Sequence, residues 1–343
     1  MTITVGLVDD SFFMRSVTKK MLESDPEIKV IFEASNGSEA IHKTKSERPN
    51  VLVMDLQMPL MDGFTALTQI MKDNPTPVII LSAYSQAGAD ITMECLNAGA
   101  VDFIAKPGGT VSTDIENVKT EILRKVKAAA IAKVERKEIP KANPQIKPSL
   151  KKVSPSRLVV IASSTGGPSA LQAVLMGIPA DIPAGIVIVQ HMPAMFTGAL
   201  AKRLDGVCAT HVKEAEDGDM IYDGQVLLAP GGKHLKISPD GKRVQLYDGP
   251  MINGVKPSAD PMFDSAAAKY GSRIVGVVLT GMGNDGCAGS GTIKKAGGKI
   301  IAQDQASSVV FGMPNEVIKA GHADVVASLD LIPKQIMDLV RKV

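Results

Sequence analysis

Along the first 125 residues, short apolar runs alternate with polar–apolar segments of helical length. The runs are Ile3–Val8, Ile28–Phe32, Val51–Met54, Val78–Leu81 and Val101–Ile104. Unbroken Val/Ile/Leu stretches of this length fit strands buried on both faces, as in a parallel sheet covered by helices. Five such units predict a five-stranded parallel, doubly wound α/β domain. Beyond residue 157 the alternation resumes with Leu158–Ala162, Ile186–Gln190, Val226–Ala229, Ile274–Thr280 and Lys299–Ala302, and helical patterns follow most of them. The segment HLKISPDGKRVQLY reads as a β-hairpin turning at Pro239-Asp240-Gly241. This half is therefore expected to be a second α/β doubly wound domain, its sheet mixed but mostly parallel, with a hairpin.

The stretch between the halves has a different character. From Lys125 to Arg157 ten Lys/Arg stand against Glu135 and Glu138, a surplus of eight in a chain whose total is +2, so both flanking halves are mildly acidic together. Pro140, Pro144, Pro148 and Pro155 interrupt it, and its second part lacks apolar periodicity. Such a segment reads as the end of a helix followed by an extended, self-repelling linker. The expected organisation is a domain over 1–125, a basic Pro-rich linker over 126–156 and a domain over 157–343. A basic arm binding nucleic acid or lipid is the alternative. Neither stacking aromatics nor a recognition-helix pattern accompanies the charge, so no nucleic-acid partner is expected.

Composition narrows the class further. Of 343 residues 45% are hydrophobic and only 3% aromatic, with no Trp. A core of aliphatic and Met side chains is affordable at this length, and a wholly disordered chain is excluded. Cys95, Cys208 and Cys287 lack disulfide or zinc-ligand spacing, as expected of reduced thiols in a cytoplasmic protein. No apolar run nears the roughly 20 residues of a membrane span, so no membrane insertion is expected.

Ligands of open parallel sheets sit outside the C-terminal strand ends. In the first half those ends carry Asp9 and Asp10, Asp55, Ser82, and Lys106 before Pro107. Three converging carboxylates repel one another without a cation, and a hard divalent ion such as Mg²⁺ relieves that repulsion. Lys106 and Ser82 suit an incoming phosphoryl group, with Asp55 as the nucleophile that forms an acyl phosphate. Taken singly, each Asp could equally be a helix N-cap. VDDS, VMDLQMPLMDG, LSA and FIAKP resemble the receiver domain of response regulators, which has the flavodoxin-like fold. The resemblance implies Asp55 as phosphoacceptor, and Mg²⁺ on Asp10, Asp55 and the Gln57 carbonyl, with Asp9 contributing through water. It also implies Ser82 and Phe103 as a switch pair and Lys106 as the phosphoryl contact. Phe103 lacks the hydroxyl of the Tyr common at that position.

In the second half a Gly-rich corner, IASSTGGPSALQAVL, follows the first strand. It could cradle a phosphate at a helix N-terminus, present a serine beside an oxyanion site, or simply cap the helix. The phosphate-loop patterns GxGxxG and GxxxxGK[ST] are absent, as is the GxSxG elbow. Among five histidines only His191, in GIVIVQHMP, closes a buried strand on the same edge. Asp285, in VVLTGMGNDGCAG, ends another strand within a glycine-rich loop. A serine nucleophile, a histidine base and an acid that holds its tautomer make a triad in the order Ser, His, Asp. A structural His and a turn Asp are the plainer readings of the two taken alone.

IASSTGGP, VIVQHMP, LAPGGKHL, LTGMGNDG and AQDQASSVVFGMP, following a receiver, resemble the chemotaxis protein-glutamate methylesterase family, CheB. The motif register assigns the nucleophile to Ser164. Ala162-Ser163 stands where the family usually has Gly-Ala, leaving Ser163 as an expected packing residue. The resemblance implies a phosphorylation-activated serine hydrolase acting in chemotactic adaptation. It would cleave glutamate methyl esters on methyl-accepting chemoreceptors, releasing methanol, and deamidate receptor glutamines. A chemotaxis histidine kinase would be the phosphodonor. Thr165 and Met282 are candidate backbone oxyanion donors, and the esterase is expected to need no cofactor. The unphosphorylated receiver is expected to occlude the Ser164 edge. A non-catalytic regulator with a protein-binding second domain and a nucleotide-binding transferase are the rival classes.

Overall fold

Most strands of the two sheets are drawn from apolar runs, and the first four helices of the first unit begin at residues that cap them. The computed structural model describes residues 2–106, 112–134, 147 and 153–341, the side chains of 112–117 excepted. Pro107, and most of the basic Pro-rich stretch with Pro140, Pro144 and Pro148, lie outside the described residues. The chain divides into two compact units, Met1–Pro140 and Lys141–Val343.

The first unit runs β1 (Ile3–Val8), α1 (Phe12–Glu23), β2 (Ile28–Ala34), α2 (Gly37–Glu47), β3 (Val51–Asp55), α3 (Gly63–Asp73), β4 (Val78–Ser82), α4 (Gln86–Asn97), β5 (Asp102–Ala105) and α5 (Ser112–Ala130). Its strands pair in parallel in the order β2-β1-β3-β4-β5. β3 and β4 are buried at every residue, as their unbroken apolar runs require. Side-chain oxygens of Ser11, Asn36, Asp62 and Ser85 accept the first free N–H groups of α1, α2, α3 and α4. At the start of α3, a Cβ on Gly63 would lie 2.2 Å from the Asp55 carbonyl oxygen. Glycine there lets the helix close directly onto the end of β3. The chain leaves β1 toward β2 and then crosses to β3, so the sheet's switch point lies beside Asp9 and Asp55. α5 extends to Ala130 and includes Lys125 and Lys127.

The second unit runs β6 (Leu158–Ser163), α6 (Gly167–Met176), β7 (Gly185–Gln190), α7 (Phe196–Val207), β8 (His211–Glu214), β9 (Gln225–Leu228), β10 (His234–Ile237), β11 (Val244–Tyr247), α8 (Ala259–Tyr270), β12 (Ile274–Val278), α9 (Cys287–Lys295), β13 (Lys299–Gln303), α10 (Met313–Lys319), β14 (Val325–Ala327) and α11 (Ile332–Arg341). Seven strands form one sheet in the order β14-β13-β12-β6-β7-β9-β8. All its pairings are parallel. The expected mixed sheet is corrected here, because the antiparallel pairing belongs to a separate ribbon of β10 and β11. Its loop is the expected one, with the Gly241 N–H donating to the Ser238 carbonyl at 2.9 Å. β8 and β14 were not expected from the apolar pattern. Both are short edge strands whose burial alternates or is partial, so neither carries a hydrophobic run. Phe263, Met262, Ile293, Met313 and Leu227 pack with β6, β7 and β12 into one buried cluster. The chain grows outward from β6 to one side and returns to β12 on the other, which puts the switch point at β6.

Candidate functional sites

The first unit gathers four of its predicted polar residues at the switch point. One carboxylate oxygen from each of Asp9, Asp10 and Asp55 lies within 4.8 Å of the others. Asp9 and Asp55 are buried and Asp10 is exposed. Lys106 Nζ bridges the buried pair, 3.1 Å from Asp9 Oδ2 and 2.8 Å from Asp55 Oδ2. Burial pushes the Asp55 carboxyl above the ordinary range; Lys106 opposes this and the Asp9 charge adds to it. Burial alone would lower the Lys106 ammonium, yet Asp55 and Asp9 outweigh it and hold the ammonium firmly charged. Two desolvated carboxylates sharing one ammonium, with a third open to solvent, form an oxygen donor set suited to Mg²⁺. Gln57 is exposed two residues beyond β3, on the loop where its carbonyl could join them.

Ser82 and Phe103 are turned to other partners. The fully buried Ser82 hydroxyl lies 2.7 Å from Thr92 Oγ1 and donates to the Gly88 carbonyl at 3.2 Å, both on α4. The Phe103 ring is buried, with the Lys125 ammonium 4.9 Å from its centroid. Lys125 also pairs with Asp102 and Glu121 at 3.1 and 2.9 Å. This lysine of the basic stretch is therefore a buried residue of α5.

In the second unit, Ser163 pairs with Gln190 across β6 and β7, and Ala162 with Val278 across β6 and β12. The next residues off the strand ends are Ser164 and His191, side by side on strands that sit about 4.8 Å apart. Asp285 completes the set from the loop after β12. Its Oδ2 lies 2.7 Å from His191 Nε2. His191 Nδ1 is buried without a hydrogen-bond partner. His191 and Asp285 are thus in direct contact, and Ser164 follows the end of the strand paired with both β7 and β12.

The corner itself is built by glycine. Gly166 caps α6 at φ +75° with no side-chain cap hydrogen bond, so neither a Ser nor a Thr is spent there. The Ser164 N–H donates to the Thr280 carbonyl at 3.1 Å, and the Gly167 N–H to the Ser164 carbonyl at 2.7 Å. These two amides are committed to the turn and are not available to cradle a phosphate. Gln190 clamps it: its Oε1 accepts from Ser163 Oγ at 2.6 Å, and its Nε2 donates to the Ser164 carbonyl at 3.0 Å. A Cβ on Gly167 would stand 2.0 Å from that Oε1. Ser163 is fully buried, the expected packing position, with its hydroxyl used by this clamp. Of the oxyanion candidates, Thr165 is buried and its carbonyl accepts from Thr280 Oγ1 at 3.0 Å; Met282 is half-buried on the β12–α9 loop.

Asp285 is the most heavily bonded group of the site. Its Oδ1 accepts from Ser258 Oγ at 2.5 Å and Asn253 Nδ2 at 3.0 Å, and its Oδ2 from the Ala259 N–H at 2.6 Å. Burial favours the neutral acid, but His191 and these donors prevail and hold the carboxyl at about 2. An ionised Asp285 favours the imidazole tautomer with its proton on Nε2, in which the lone pair is on Nδ1. Behind it, His234 Nδ1 accepts from the Ser258 N–H at 3.2 Å and its Nε2 donates to the Pro250 carbonyl at 2.9 Å. Gln190, His234, Asn253, Ser258 and Asp260 were not singled out from the sequence. Gln190 carried a visible sign, a polar residue closing a buried apolar strand; the others required the fold.

Over residues 159–336 the chain matches the family model described as CheB methylesterase, and over residues 5–113 the response regulator receiver domain. It is similar to a protein-glutamate methylesterase/protein-glutamine glutaminase of Pyrococcus horikoshii, 45% identical over 349 residues that cover 98% of this chain and 94% of the relative. A protein of the same description, numbered 2, from Methanosarcina acetivorans is 41% identical over 355 residues, covering 99% and 100%. Among solved structures, the Thermotoga maritima CheB methylesterase catalytic domain superposes with a TM-score of 0.53 at 46% identity, over 55% of this chain and 100% of that one.

Proposed function

The chain belongs to the CheB methylesterase family and carries a response regulator receiver domain ahead of the esterase, and from that premise we propose that Ser164, His191 and Asp285 are the catalytic triad of a serine hydrolase. The observation that carries this reading is the 2.7 Å bond from His191 Nε2 to the ionised Asp285, which leaves a buried, unpartnered Nδ1 at the end of the strand next to the one that leads into Ser164. His191 Nδ1 takes the Ser164 hydroxyl proton as Oγ attacks the γ-carbonyl of a methylated glutamate on a chemoreceptor. The imidazolium then gives that proton to the departing methoxide, methanol leaves, and water hydrolyses the acyl-enzyme by the same base. A glutamine side chain follows the same path with ammonia leaving. Asp285 orients the ring and stabilises its charged form, while the backbone N–H groups of Thr165 and Met282 are our candidates for holding the oxyanion.

In the receiver, the phosphodonor is a chemotaxis histidine kinase and the acceptor is Asp55. Asp10, Asp55 and the Gln57 carbonyl would hold Mg²⁺, with Asp9 contributing through water, and the ion would supply charge neutralisation for the phosphoryl oxygens; Lys106 binds the same group as an ammonium. Ser82 and Phe103 are the switch pair, and phosphorylation raises esterase activity by shifting a two-state equilibrium. Residues 126–156 serve as a basic tether between a receiver over 1–125 and an esterase over 157–343. The enzyme acts from the cytoplasm: Cys95, Cys208 and Cys287 are free thiols, suited to a reducing compartment, and no helix among the described residues is long and apolar enough to cross a membrane.

Methanol release from methylated receptor by the Ser164→Ala and Ser163→Ala proteins tests the assignment. Loss in the first with activity kept in the second is expected; full activity in Ser164→Ala would sink it.

A further inference from the structure

Between β11 and α8 the chain makes a two-residue hairpin. Ile252 and Val255 exchange both backbone hydrogen bonds, at 3.1 and 3.0 Å, around Asn253 and Gly254. Both corner residues are left-handed, at φ +53° and +73°. Asn-Gly is the favoured pair for such a turn, so the backbone alone accounts for the residue types. It does not account for where the Asn253 side chain goes.

That side chain turns inward. Its Nδ2 donates to Asp285 Oδ1 at 3.0 Å and to Asp260 Oδ2 at 2.8 Å. A primary amide has two N–H groups, one for each carboxylate. Asp285 and Asp260 are both buried. Asp260 also accepts the Gly289 N–H at 2.8 Å, which ties it to the first turn of α9. Two buried like charges on neighbouring elements repel, and a donor between them keeps each in a fixed orientation. An apolar or absent side chain would leave a lone pair on each carboxylate unsatisfied.

We propose that Asn253 is a positioning residue of the esterase: its amide bridges Asp285 and Asp260 and holds the Asp285 carboxylate where it accepts the hydrogen bond of the His191 Nε2–H, so that Nδ1 is the nitrogen presented to Ser164. Resting on the triad reading above, this makes the hairpin tip part of the machinery that sets the tautomer of the base. It is a role no covalent step passes through, and it is separable from the turn, because glycine adopts the same left-handed backbone without an amide.

The test uses the full chain with Asn253→Gly, Asn253→Asp and Ser164→Ala, each assayed for kcat and KM of methanol release from methylated receptor. Alongside, the downfield proton resonance of the His191 Nε2–H is recorded. Asn253→Gly keeps the turn and should lower kcat about tenfold or more, as loss of an outer hydrogen-bond partner does around other sites, with KM within about twofold and the resonance shifted or broadened. Asn253→Asp keeps shape and turn but turns a donor into a third carboxylate, so its kcat should fall further. Wild-type kcat and an unmoved resonance in Asn253→Gly would overturn the positioning role. So would a raised KM at unchanged kcat, which would make Asn253 a substrate contact. An active Ser164→Ala protein would instead remove the triad reading, whatever the Asn253 variants do.

Discussion

Asp285 shows how a single side chain here is decided by its neighbours rather than its type. An Asp before Gly in a loop is ordinarily a turn residue, and nothing in GMGNDG distinguishes it. Burial would favour the neutral acid, but His191, the Ala259 N–H and the Ser258 hydroxyl prevail and keep its carboxyl at about 2, so it stays ionised at neutral pH. Asp285→Asn should therefore lower kcat by roughly 10²–10⁴-fold, because the amide no longer dictates the productive tautomer, with KM little changed. Steady-state methanol release checks this. In the receiver the sign is opposite. Burial raises Asp55, so its protonation begins at a higher pH than for an exposed Asp, and Mg²⁺ affinity should decline on acidification before ordinary carboxylates titrate. Calorimetric titration with Mg²⁺ should show that decline, and about tenfold or more weaker binding in Asp10→Asn, whose exposed side chain can be changed without disturbing the core.

At the level of elements, the candidate site residues were legible wherever an unbroken apolar run ended in a polar residue. Asp9, Asp55, Ser164 and His191 all follow such runs, and parallel pairing brings those ends to one edge. β8 and β14 carry too few apolar residues to announce themselves, yet neither contributes to the site. The loops were the opaque part. Asn253, Ser258 and the Ala259 N–H reach Asp285 from the loop before α8 and its first residue, where no apolar periodicity announces them. Gly167 was visible as part of a glycine-rich corner, but its reason was not: Gln190 occupies the space a Cβ would need. Gly167→Ala should push Gln190 off Ser163 and the Ser164 carbonyl, at about 1–3 kcal/mol for an overpacked site. Thermal unfolding of the second unit should move down by several degrees and kcat should fall with it; an unchanged melting temperature would show that Gln190 yields easily.

For the whole molecule, the near-neutral total charge conceals an uneven chain, since the +8 stretch from Lys125 to Arg157 lies between two halves that are jointly acidic. Its beginning is partly structural, because Lys125 is buried in α5 and Lys127 pairs with Asp25 and Glu27. Phosphorylation with a small acyl phosphate and Mg²⁺ should raise the esterase rate of the full chain, and Asp55→Asn should abolish that response; equal stimulation of both proteins would remove Asp55 from the switch. The central claim is narrower, that Ser164 is the nucleophile and His191 its base. Covalent labelling by a fluorophosphonate, followed by peptide mapping, reads it directly in a chain where two serines adjoin. A single adduct on Ser164, retained in Ser163→Ala and lost in both Ser164→Ala and His191→Ala, is the result expected. An adduct on Ser163, or labelling that persists without Ser164, would contradict the account.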